Sequence, residues 1–481
     1  MANSTNLILP LLAAAQAQKH VTVNEGLQKL DALVQLAPKS DSVSAEPGSP
    51  ADGDVYILPA GKTGTNWGPA ANYSIAHYRD GVWQFYTPRE GFLAWLKDTD
   101  VIKFFNGTTW QQFSGITTDI ANVCDGRLTL TSAIPVQAVD VTAVTTLYFT
   151  PCKGNQIGFY DGVSAWSLVS FTEKTIKLTD AQTGTRASTS NGIITGLTDT
   201  SQLIVGMEAS GTGIGVSAVI NSIDSATQVT LSVNNTGTGT SSVTFKVPAD
   251  TNLDIFAFNN SGAVKLEMVK WSNSAIGTQA RTISLATQDG VYVKSGVPTR
   301  RFLGMVRTTA TSGQTEFSMR PAAAAGGSHP KLYVWNLYNR VPVAAVCRDS
   351  TDTWTYTTGT IRPSNNSSNN RVSFVSGLAE GRFHTHHSMR AENTSADIYR
   401  LCAIGYDSTN TIADGCLTGQ SGSSSAGRPP DMSSVLARAC EAGFHYVQEL
   451  EYSSPAGTTT WYGDGGAPTL VQTGMMFTME M

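Results

Sequence analysis

The chain has 481 residues, 14% of them charged, and a formal net charge of −5. At roughly 150 residues per domain this length predicts three or more domains, and the charged fraction is well below the roughly 25% of ordinary soluble proteins. The lack of a basic tract argues against a nucleic-acid-binding protein, and the lack of an apolar run of about 18 residues argues against membrane insertion. Thr, Val and aromatic residues recur between Gly and Asn, which indicates short strands joined by tight turns, so we expect a mainly β protein.

The N-terminal segment partly resembles a signal peptide. Residues 7–15 are apolar, and an Ala-Gln-Ala sequence at 15–17 matches a cleavage site. However, residues 1–18 contain no Lys or Arg and Pro10 interrupts the apolar run, whereas a signal peptide needs a basic start. We therefore expect synthesis in the cytoplasm without a signal peptide.

Residues 22–36 carry the clearest helix signal. Thr22 and Glu25 match a capping box, in which each side chain accepts a hydrogen bond from a backbone amide. One face of this helix is apolar and carries Leu27, Leu30 and Val34. Because a lone short amphipathic helix is marginal in water, we expect it to pack on a partner, either its own copies in a bundle or another protein.

A pattern of aromatic residue, tight turn and Trp occurs three times, at residues 78–83, 105–110 and 160–166. Asp-Gly and Asn-Gly supply the positive φ angles of a type I′ turn, and the aromatic residue and the Trp can pair across the hairpin. We expect these Trp side chains to pack in the cores. The alternative is a row of exposed Trp residues that binds sugar.

Residues 183–247 have the composition of a small separate β-module. Short strands are predicted at 203–207 and 229–232, on either side of a Gly-x-Gly-x-Gly sequence at 211–215. A dinucleotide site needs the spacing GxGxxG followed by a helix, and neither is present, so no dinucleotide is expected.

Strand-and-turn patterns continue after residue 250 and are interrupted by an Ala/Gly-rich loop at 321–327. The exception is a short helix predicted at residues 433–442. Asp431 or Ser433 would be its N-cap, and Gly443 would end it.

Three local patterns approach catalytic motifs without matching them. Residues 61–63 read Gly-Lys-Thr, but Tyr56 stands where a phosphate-binding loop needs Gly, and residues 419–423 depart from the nucleophile elbow at the last position. Glu449 and Glu451 share one strand face, as paired glycosidase carboxylates would, although two solvated charges at a sheet edge are expected instead. We assign no catalytic residue.

His384 and His386 would point to one side of a strand, so three copies around a threefold axis would offer six imidazoles to a transition metal ion. Solvated or packed histidines are the alternative, and we assign no metal ligand, cofactor or cofactor-binding residue. Free thiols in a reducing cytoplasm are expected, because no CxxC pair occurs among the cysteines, which are Cys124, Cys152, Cys347, Cys402, Cys416 and Cys440.

The N-terminal sequence resembles a known domain family. Residues 16–25 read QAQKHVTVNE, with Leu-Pro before them at 9–10 and Leu-Asp after them at 30–31. This string resembles the start of DUF2793, an uncharacterised phage and prophage domain family, and the resemblance extends over about residues 5–115. The family occurs in tail-associated and other fibre-like proteins of phages that infect alphaproteobacteria and similar hosts.

A second resemblance covers about residues 124–345. A domain common in phage fibre and tail proteins is similar to residues 144–148, 157–162, 253–260, 289–296, 299–304 and 335–341. The 183–247 module is similar to small β-modules of phage surface proteins, although Gly215 stands where those carry Pro. Residues 346–481 resemble no named family.

These resemblances imply a structural protein of a tailed phage particle, not an enzyme. The predicted architecture is an N-terminal amphipathic helix followed by several small β-sandwich or hairpin domains in an elongated, trimeric fibre. The predicted segments are an anchor helix at 1–40, a hairpin domain at 41–120, a central fibre β-domain at 121–182 with 248–345, an inserted β-module at 183–247 and a β-rich head at 346–481.

The predicted function is that of a tail or receptor-binding fibre. Its N-terminus would bind other virion proteins of the tail, baseplate or neck, and its head would contact host surface polysaccharide or protein, with Tyr452, Trp461 and Tyr462 as candidate contacts. The alternatives are a collar, neck or head fibre without a receptor role and a tailspike that cleaves polysaccharide. We expect a homotrimer in the virion, with no cofactor, no nucleic acid and no membrane insertion.

Overall fold

The computed structural model describes residues 3–12, 19–113, 120–422, 430–464 and 472–481. The prediction of a mainly β protein is confirmed, since this part of the chain holds one α-helix and many small sheets. The chain forms two compact units, Met1–Thr118 and Asp119–Met481. Within the described ranges, no helix is long and apolar enough to cross a membrane.

The first unit consists of a helix and two three-stranded antiparallel sheets. Its elements are α1 (Lys19–Leu33), β1 (Val55–Ile57), β2 (Ile75–Arg79), β3 (Val82–Tyr86), β4 (Leu93–Leu96), β5 (Val101–Phe105) and β6 (Trp110–Gln112). The sheets have the orders β1-β2-β3 and β4-β5-β6. Two small cores hold this unit together, one around Ile75 and Leu96 and one around Trp67 and Trp83.

Helix α1 starts and ends three residues earlier than the sequence predicted. Thr22 and Glu25 therefore lie inside the helix and form no capping box. The helix ends at Leu33 because Gln35 adopts a positive φ of 52°, which a continuing helix cannot contain. The buried Asp31 instead binds the preceding segment: its carboxylate accepts hydrogen bonds from Ser4 Oγ (2.6 Å) and the Asn6 amide (2.9 Å) and from the Leu7 amide.

The aromatic–Trp pairing is found in all three predicted hairpins, but the type I′ turn in only the first. Tyr78 pairs with Trp83 across a two-residue turn in which Asp80 and Gly81 both have positive φ. The second and third hairpins use longer loops, in which the side chains of Asn106 and Asp161 accept hydrogen bonds from the loop's own amides. Trp83 and Trp110 are buried, so neither belongs to an exposed sugar-binding row.

In its described residues, the second unit is built from β-strands and two short 3-10 helices (Ile120–Asn122 and Ser364–Asn366). Its strands up to residue 270 are β7 (Gly126–Thr129), β8 (Val141–Val144), β9 (Thr146–Pro151), β10 (Gln156–Tyr160), β11 (Trp166–Ser170), β12 (Lys174–Lys177), β13 (Thr179–Arg186), β14 (Ile193–Ile194), β15 (Glu208–Ser210), β16 (Ile220–Ser225), β17 (Gln228–Leu231), β18 (Gly239–Lys246), β19 (Asn252–Asn260) and β20 (Ala263–Lys270).

The remaining strands extend to residue 480. They are β21 (Leu285–Gln288), β22 (Val291–Lys294), β23 (Val297–Arg307), β24 (Thr315–Ser318), β25 (Lys331–Leu332), β26 (Val334–Asn336), β27 (Pro342–Arg348), β28 (Thr353–Thr355), β29 (Arg362–Pro363), β30 (Arg371–Ser376), β31 (Arg382–Asn393), β32 (Arg400–Tyr406), β33 (Gly419–Ser421), β34 (Asp431–Ala439), β35 (Gly443–Ser453), β36 (Thr459–Tyr462) and β37 (Gly474–Glu480).

Three large sheets dominate this unit. The first has the order β20-β19-β23-β22-β21, with β26 beside β23. The second has the order β33-β32-β35-β30-β25-β24-β8, with β29 beside β35. The third has the order β27-β37-β31-β36-β28, with β34 beside β31, so that β37 lies between β27 and β31. Two small sheets, β13-β18-β15 and β14-β17-β16, form a module within residues 179–246.

The helix predicted at residues 433–442 is wrong, because this region contains strand β34. It pairs antiparallel with β31 over nine residues, from Arg382 opposite Ala439 to Arg390 opposite Asp431. Met432, Ser434 and Leu436 point inward and their neighbours point outward, which is the two-residue period of a strand. The buried polar Ser434 hid this alternation in the sequence.

One continuous hydrophobic core runs through the second unit, from Cys124 to Met481. The small module contributes buried residues to it, among them Ile194, Val229 and Phe245. All six cysteines are free thiols. The segment boundaries expected within this unit stay a prediction.

Candidate functional site

A cleft of about 950 Å³ lies in the second unit. One wall comes from loops and strand ends of the small module, at residues 199–204 and 223–226. The other wall comes from the β19–β20 hairpin, with Arg300 of β23 and residues 173–176 completing it. A concave site of this size is where a binding function is sought first.

The β19–β20 wall carries basic groups that are largely neutralised. The Arg300 guanidinium stacks on the Phe258 ring, with 3.7 Å between the guanidinium carbon and the ring centroid. Its Nε donates to Glu267 Oε2 at 2.9 Å, and Lys294 Nζ bonds the other oxygen of the same carboxylate. The exposed Lys265 and the half-buried Lys174 are the remaining cations on this wall.

The module wall carries two exposed carboxylates, Asp199 and Asp224. Hydrogen bonds from the Ser201 hydroxyl and amide lower the pKa of Asp199, and the charge of Lys265 lowers it further. Hydrogen bonds from Ser222, Thr230 and Gln228 lower the pKa of Asp224. Both groups therefore stay ionised at neutral pH and neither is suited to act as a general acid there.

The lining of the cleft is polar on both walls. Its lining contains no His or Cys, and the hydroxyl of Ser201 donates to Asp199 and has no basic partner that would activate it as a nucleophile. With acidic groups on one wall and basic groups on the other, the cleft would suit a polar molecule of low net charge.

A second polar cluster lies between the two sheets of the C-terminal part. His387 Nδ1 is 3.3 Å from Cys402 Sγ and 3.0 Å from the Ala403 carbonyl oxygen. His387 Nε2 is 3.4 Å from Glu449 Oε2, an ion-pair distance without hydrogen-bond geometry. Burial lowers the pKa of His387, but attraction to Cys402 and Glu449 outweighs burial and raises that pKa well above its usual range.

Cys402, His387 and Glu449 follow one another as thiol, imidazole and carboxylate. Catalytic cysteines use the same order, in which the imidazole is the base and a third group orients it. However, Cys402, His387 and Glu449 are each 0% exposed, so a substrate cannot reach the sulfur. The cluster is therefore a buried charged group in the core.

The expectation that Glu449 and Glu451 are solvated edge charges is wrong. Both lie on β35, which is flanked by β32 and β30, and both are 0% exposed. Glu451 accepts hydrogen bonds from Trp354 Nε1 and Arg362 Nε, each at 2.7 Å. Burial raises the pKa of Glu451 to about 7, although Arg362 and Trp354 oppose that rise. A sugar chain cannot reach either carboxylate.

His384 and His386 share the exposed face of β31, as predicted, whereas His387 points into the core. Across this face His386 stands between Val435 of β34 and Met476 of β37. Over the described residues, no group of three or more His, Cys, Asp or Glu side chains is placed to hold a metal ion. Metal binding across a threefold axis stays a prediction, since it needs further copies of the chain.

The three aromatic candidates for receptor contact have different surroundings. Trp461 is fully buried and its Nε1 donates to the Tyr356 carbonyl oxygen at 3.2 Å, so it is a core residue. Tyr452 is half-buried against Tyr399, with ring centroids 5.7 Å apart. Burial, together with a hydrogen bond to Glu392, raises the pKa of the half-buried Tyr462 to about 12.

The rejected phosphate and nucleophile motifs have ordinary structural roles. Lys62 Nζ donates to Asn72 Oδ1 at 2.7 Å, and the Thr63 amide donates to the Ser44 carbonyl oxygen at 2.7 Å. Gly419 is the first residue of the edge strand β33, and Ser423 lies outside the described residues.

Sequence reasoning missed the residues of the cleft. Lys265, Glu267 and Arg300 stand at ordinary strand positions, and Asp199 lies about 65 residues before the nearest of them. The walls meet only because the small module packs on the β19–β20 hairpin. No short-range sequence pattern reports that contact.

Comparison with known families bears on the first unit. Residues 23–111 match the model of DUF2793, described as a protein of unknown function. These residues form a DUF2793 domain. The DUF2793 domain thus contains most of α1, strands β1 to β5, most of β6 and the first two aromatic–Trp hairpins. The match ends before the second unit begins.

No curated protein matches the chain. Among solved structures, Eiger TNF from S. frugiperda is similar at 10% identity and a TM-score of 0.20, over 29% of this chain and 92% of that one. A structure of infectious bursal disease virus, Gx strain, is similar at 12% identity and a TM-score of 0.18, over 63% and 75%. The Cry8Ea1 endotoxin of Bacillus thuringiensis is similar at 8% identity and a TM-score of 0.18, over 74% and 51%. Likenesses at these TM-scores carry no argument about function.

Proposed function

We propose that this chain is a structural virion protein of a tailed phage, namely a tail or receptor-binding fibre. The observation that carries the proposal is the DUF2793 domain at residues 23–111, together with the QAQKHVTVNE string at 16–25 that resembles the start of this phage and prophage domain family. The mainly β structure is consistent with that class, because fibres are built from stacked β-domains.

The mechanism we propose is mechanical. The N-terminal segment, about residues 1–40, anchors the chain to other virion proteins of the tail, baseplate or neck. The middle of the chain spaces and stiffens the fibre, and residues 346–481 form the head that contacts polysaccharide or protein of the host surface. Three copies form the fibre, since threefold symmetry buries faces that one chain leaves exposed.

We propose that the chain has no enzymatic activity. The carboxylates Glu449 and Glu451 are buried, and the Cys402–His387–Glu449 cluster is closed to solvent. The open cleft lacks a nucleophile with a basic partner. These observations count against the alternative of a polysaccharide-cleaving tailspike.

Strand direction also counts against a tailspike built as a long parallel β-helix. Among the paired strands of the described ranges, only β25 and β30 run parallel. All the other pairs are antiparallel, as in β31 with β34 and β37. The second alternative, a collar, neck or head fibre, needs the same anchor, shaft and head and differs only in its place on the particle.

The decisive experiment labels intact particles with an antibody against residues 346–481, viewed by electron microscopy, while adsorption to host cells is measured in parallel. Label at distal tail tips with blocked adsorption supports the receptor-binding fibre. Label at the neck or head with unaffected adsorption supports the accessory fibre. Particles without label, or loss of capsule or lipopolysaccharide chain length on incubation with the protein, would overturn the proposal.

A further inference from the structure

The DUF2793 domain leaves one face of α1 exposed, and that face has the spacing of a coiled-coil seam. Val23, Leu27 and Leu30 of α1 and Val34, the residue after its end, follow one another at intervals of four, three and four residues, and the Val34 amide still donates to the Leu30 carbonyl oxygen at 2.8 Å. At 100° per residue they fall within about 60° of each other around the helix axis. Val23, Leu30 and Val34 are 45%, 50% and 47% exposed, and Leu27 is half-buried. We call these four side chains the helix seam.

The helix is attached to its own domain by Ala32, opposite the seam, and by two side chains beside the seam, Asp31 and Leu33, the latter packed on the core around Ile75 and Leu96. Asp31 and Ala32 are 3% and 2% exposed, and Asp31 holds the segment of residues 4–7. In a heptad that places the seam at positions a and d, Ala32 is at position f, which faces away from a partner helix. The domain therefore covers the side opposite the seam and the flanks of its last turn, and leaves the seam itself exposed.

The sheet β4-β5-β6 exposes a second apolar surface. Leu93 and Trp95 of β4 alternate with the buried Ala94 and Leu96, so the sheet packs one face on the core and turns the other outward. The exposed fractions are 58% for Leu93, 44% for Trp95, 41% for Ile102 and 51% for Phe113. Phe104 lies beside Phe113, with ring centroids 6.3 Å apart. We call Leu93, Trp95, Ile102, Phe104 and Phe113 the sheet face.

The chain joins these two surfaces directly. Val34 ends the helix seam, and two residues later the Leu36 carbonyl oxygen accepts a hydrogen bond from the Trp95 amide at 2.9 Å. The next contact is between the Lys97 amide and the Pro38 carbonyl oxygen at 3.0 Å. The segment after the helix thus runs beside β4, so the seam ends at the edge of the sheet that bears the sheet face.

We infer that the helix seam and the sheet face are the contact surface between copies of this chain, with three α1 helices in parallel around a common axis. The inference rests on the homotrimer of the proposed function and assigns its N-terminal contact. A seam with a-and-d spacing fits an identical helix in register, because each apolar side chain enters the gap between side chains of the same seam on its neighbour.

The charge pattern beside the seam favours identical copies. The positions that flank a coiled-coil seam are occupied here by Asn24 and Asp31 on one side and Gly26 and Leu33 on the other. Asp31 is the one charged residue at these four positions, and it is buried with its carboxylate turned to its own N-terminal segment. Identical helices can therefore approach without the like-charge repulsion that charged flanks would produce.

The combined area of the helix seam and the sheet face can be compared with the area that a contact between copies of the chain would bury. A 15-residue helix is about 22 Å long and 10 Å wide, and three strands spaced by about 4.8 Å with the adjoining segment add a similar area, which gives roughly 450–500 Å² per chain. Exposed apolar patches on monomeric proteins reach about 300–600 Å² and are often functional. A specific interface buries about 800 Å² per partner, so the two apolar surfaces would form somewhat more than half of one.

The test uses cysteine cross-linking of the purified full chain. Leu30→Cys places a thiol in the seam, and Val21→Cys is the matched control, because Val21 is on the same helix, 47% exposed, and about 200° away from Val23. Both variants also carry Cys152→Ser and Cys416→Ser, which remove the two native thiols that are not buried. With a short bis-maleimide we then expect up to about two-thirds of Leu30→Cys chains in covalent dimers, the limit for one accessible thiol per chain in a trimer, and at least about a fivefold lower yield for Val21→Cys.

A second pair of variants tests whether the apolar seam drives the contact. Val23→Glu, added to Leu30→Cys, should abolish the cross-link, while Val21→Glu in the same background should leave it unchanged. Equal yields for Leu30→Cys and Val21→Cys would overturn the inference, as would a Leu30→Cys cross-link that survives Val23→Glu. If another virion protein occupies the seam, the purified chain gives no Leu30→Cys cross-link, which also overturns it. Antibody labelling of particles tests the proposed function independently of these outcomes.

Discussion

His387 and Glu449 face each other between the two C-terminal sheets, with 3.4 Å between His387 Nε2 and Glu449 Oε2 and neither side chain exposed. Removing one member of such a buried pair leaves the other charge without compensation, which costs about 3–5 kcal/mol. We therefore expect His387→Ala to lower the free energy of unfolding by that amount in urea titrations. His386→Ala is the matched control: His386 is the exposed neighbour, and a change within about 0.5 kcal/mol is expected there.

The same pair predicts a pH dependence with a defined sign. The pKa of His387 is raised well above its ordinary 6.5 in the folded protein. The folded state thus holds this proton more tightly, so the stabilisation is complete below pH 6.5 and is lost as pH rises through the folded pKa. Melting temperatures above pH 6.5 should fall in the natural protein and fall less in His387→Ala. Equal slopes would contradict the assigned pair.

Glu451 should cause a second loss of stability as pH rises, in a lower pH range than the loss caused by His387. Its pKa is raised from 4.5 to about 7, mainly by burial. The folded state binds the proton more strongly, so the carboxyl contributes full stability below pH 4.5, and this contribution is lost as pH rises through about 7; the difference is about 3 kcal/mol. Glu451→Gln cannot titrate and should flatten the melting temperature between pH 4.5 and 7. Glu480→Gln, at an exposed position of β37, should leave the profile of the natural protein unchanged.

Asp31 predicts the attachment of the N-terminal segment to the DUF2793 domain. Burial favours the neutral acid, but hydrogen bonds from Ser4, Leu7 and Asn6 outweigh it and lower the pKa of Asp31. This stabilisation is therefore present above pH 3.8 and lost as pH falls through the lower folded pKa. Asp31→Asn replaces one accepting oxygen by an NH₂ group, which cannot accept the hydrogen bonds that Ser4, Asn6 and Leu7 donate. We expect this to cost about 1–3 kcal/mol. A dilute protease should then cleave within residues 3–12 faster than in the natural protein. The control is Asp98→Asn, at an exposed position, which should leave the rate of cleavage within residues 3–12 unchanged.

Because Trp461 is a core residue, we expect its substitution to reduce stability and not to remove a receptor contact. The side chain is fully buried with Met389, Met432 and Trp354. Trp461→Ala should lower the free energy of unfolding by about 3–5 kcal/mol in urea titrations, while Leu417→Ala, at a 73% exposed position, should change it by less than about 0.5 kcal/mol. Impaired host adsorption by Trp461→Ala at unchanged stability would contradict a core role.

Local signals in the sequence predicted local structure well. The Asp80-Gly81 turn was predicted because its two residues favour the positive φ angles that they adopt. The pairing of an aromatic residue with Trp was predicted in all three hairpins because both residues belong to one short segment. The bounds of α1 were shifted because its end depends on Gln35, a residue whose positive φ has no sequence signal.

Features that depend on distant segments were not predictable in this way. The alternating polar residues of β35 suggested a solvated face, but that face is covered by a second sheet that brings His387 and Trp354 to Glu449 and Glu451. The charged layer between the sheets therefore arises from long-range packing. The cleft has the same origin, since its walls come from residues 199–226 and 258–268.

The position of β37 in the third sheet constrains how the chain can be made. Residues 474–480 lie between β27 and β31, so β27 has no neighbour on the β31 side until this last strand has left the ribosome. Until then two strands present open edges that can pair with those of another nascent chain. Closure of the sheet must therefore wait until residues 474–480 have been made, and a chain cut short before residue 474 would keep these open edges and be prone to aggregate.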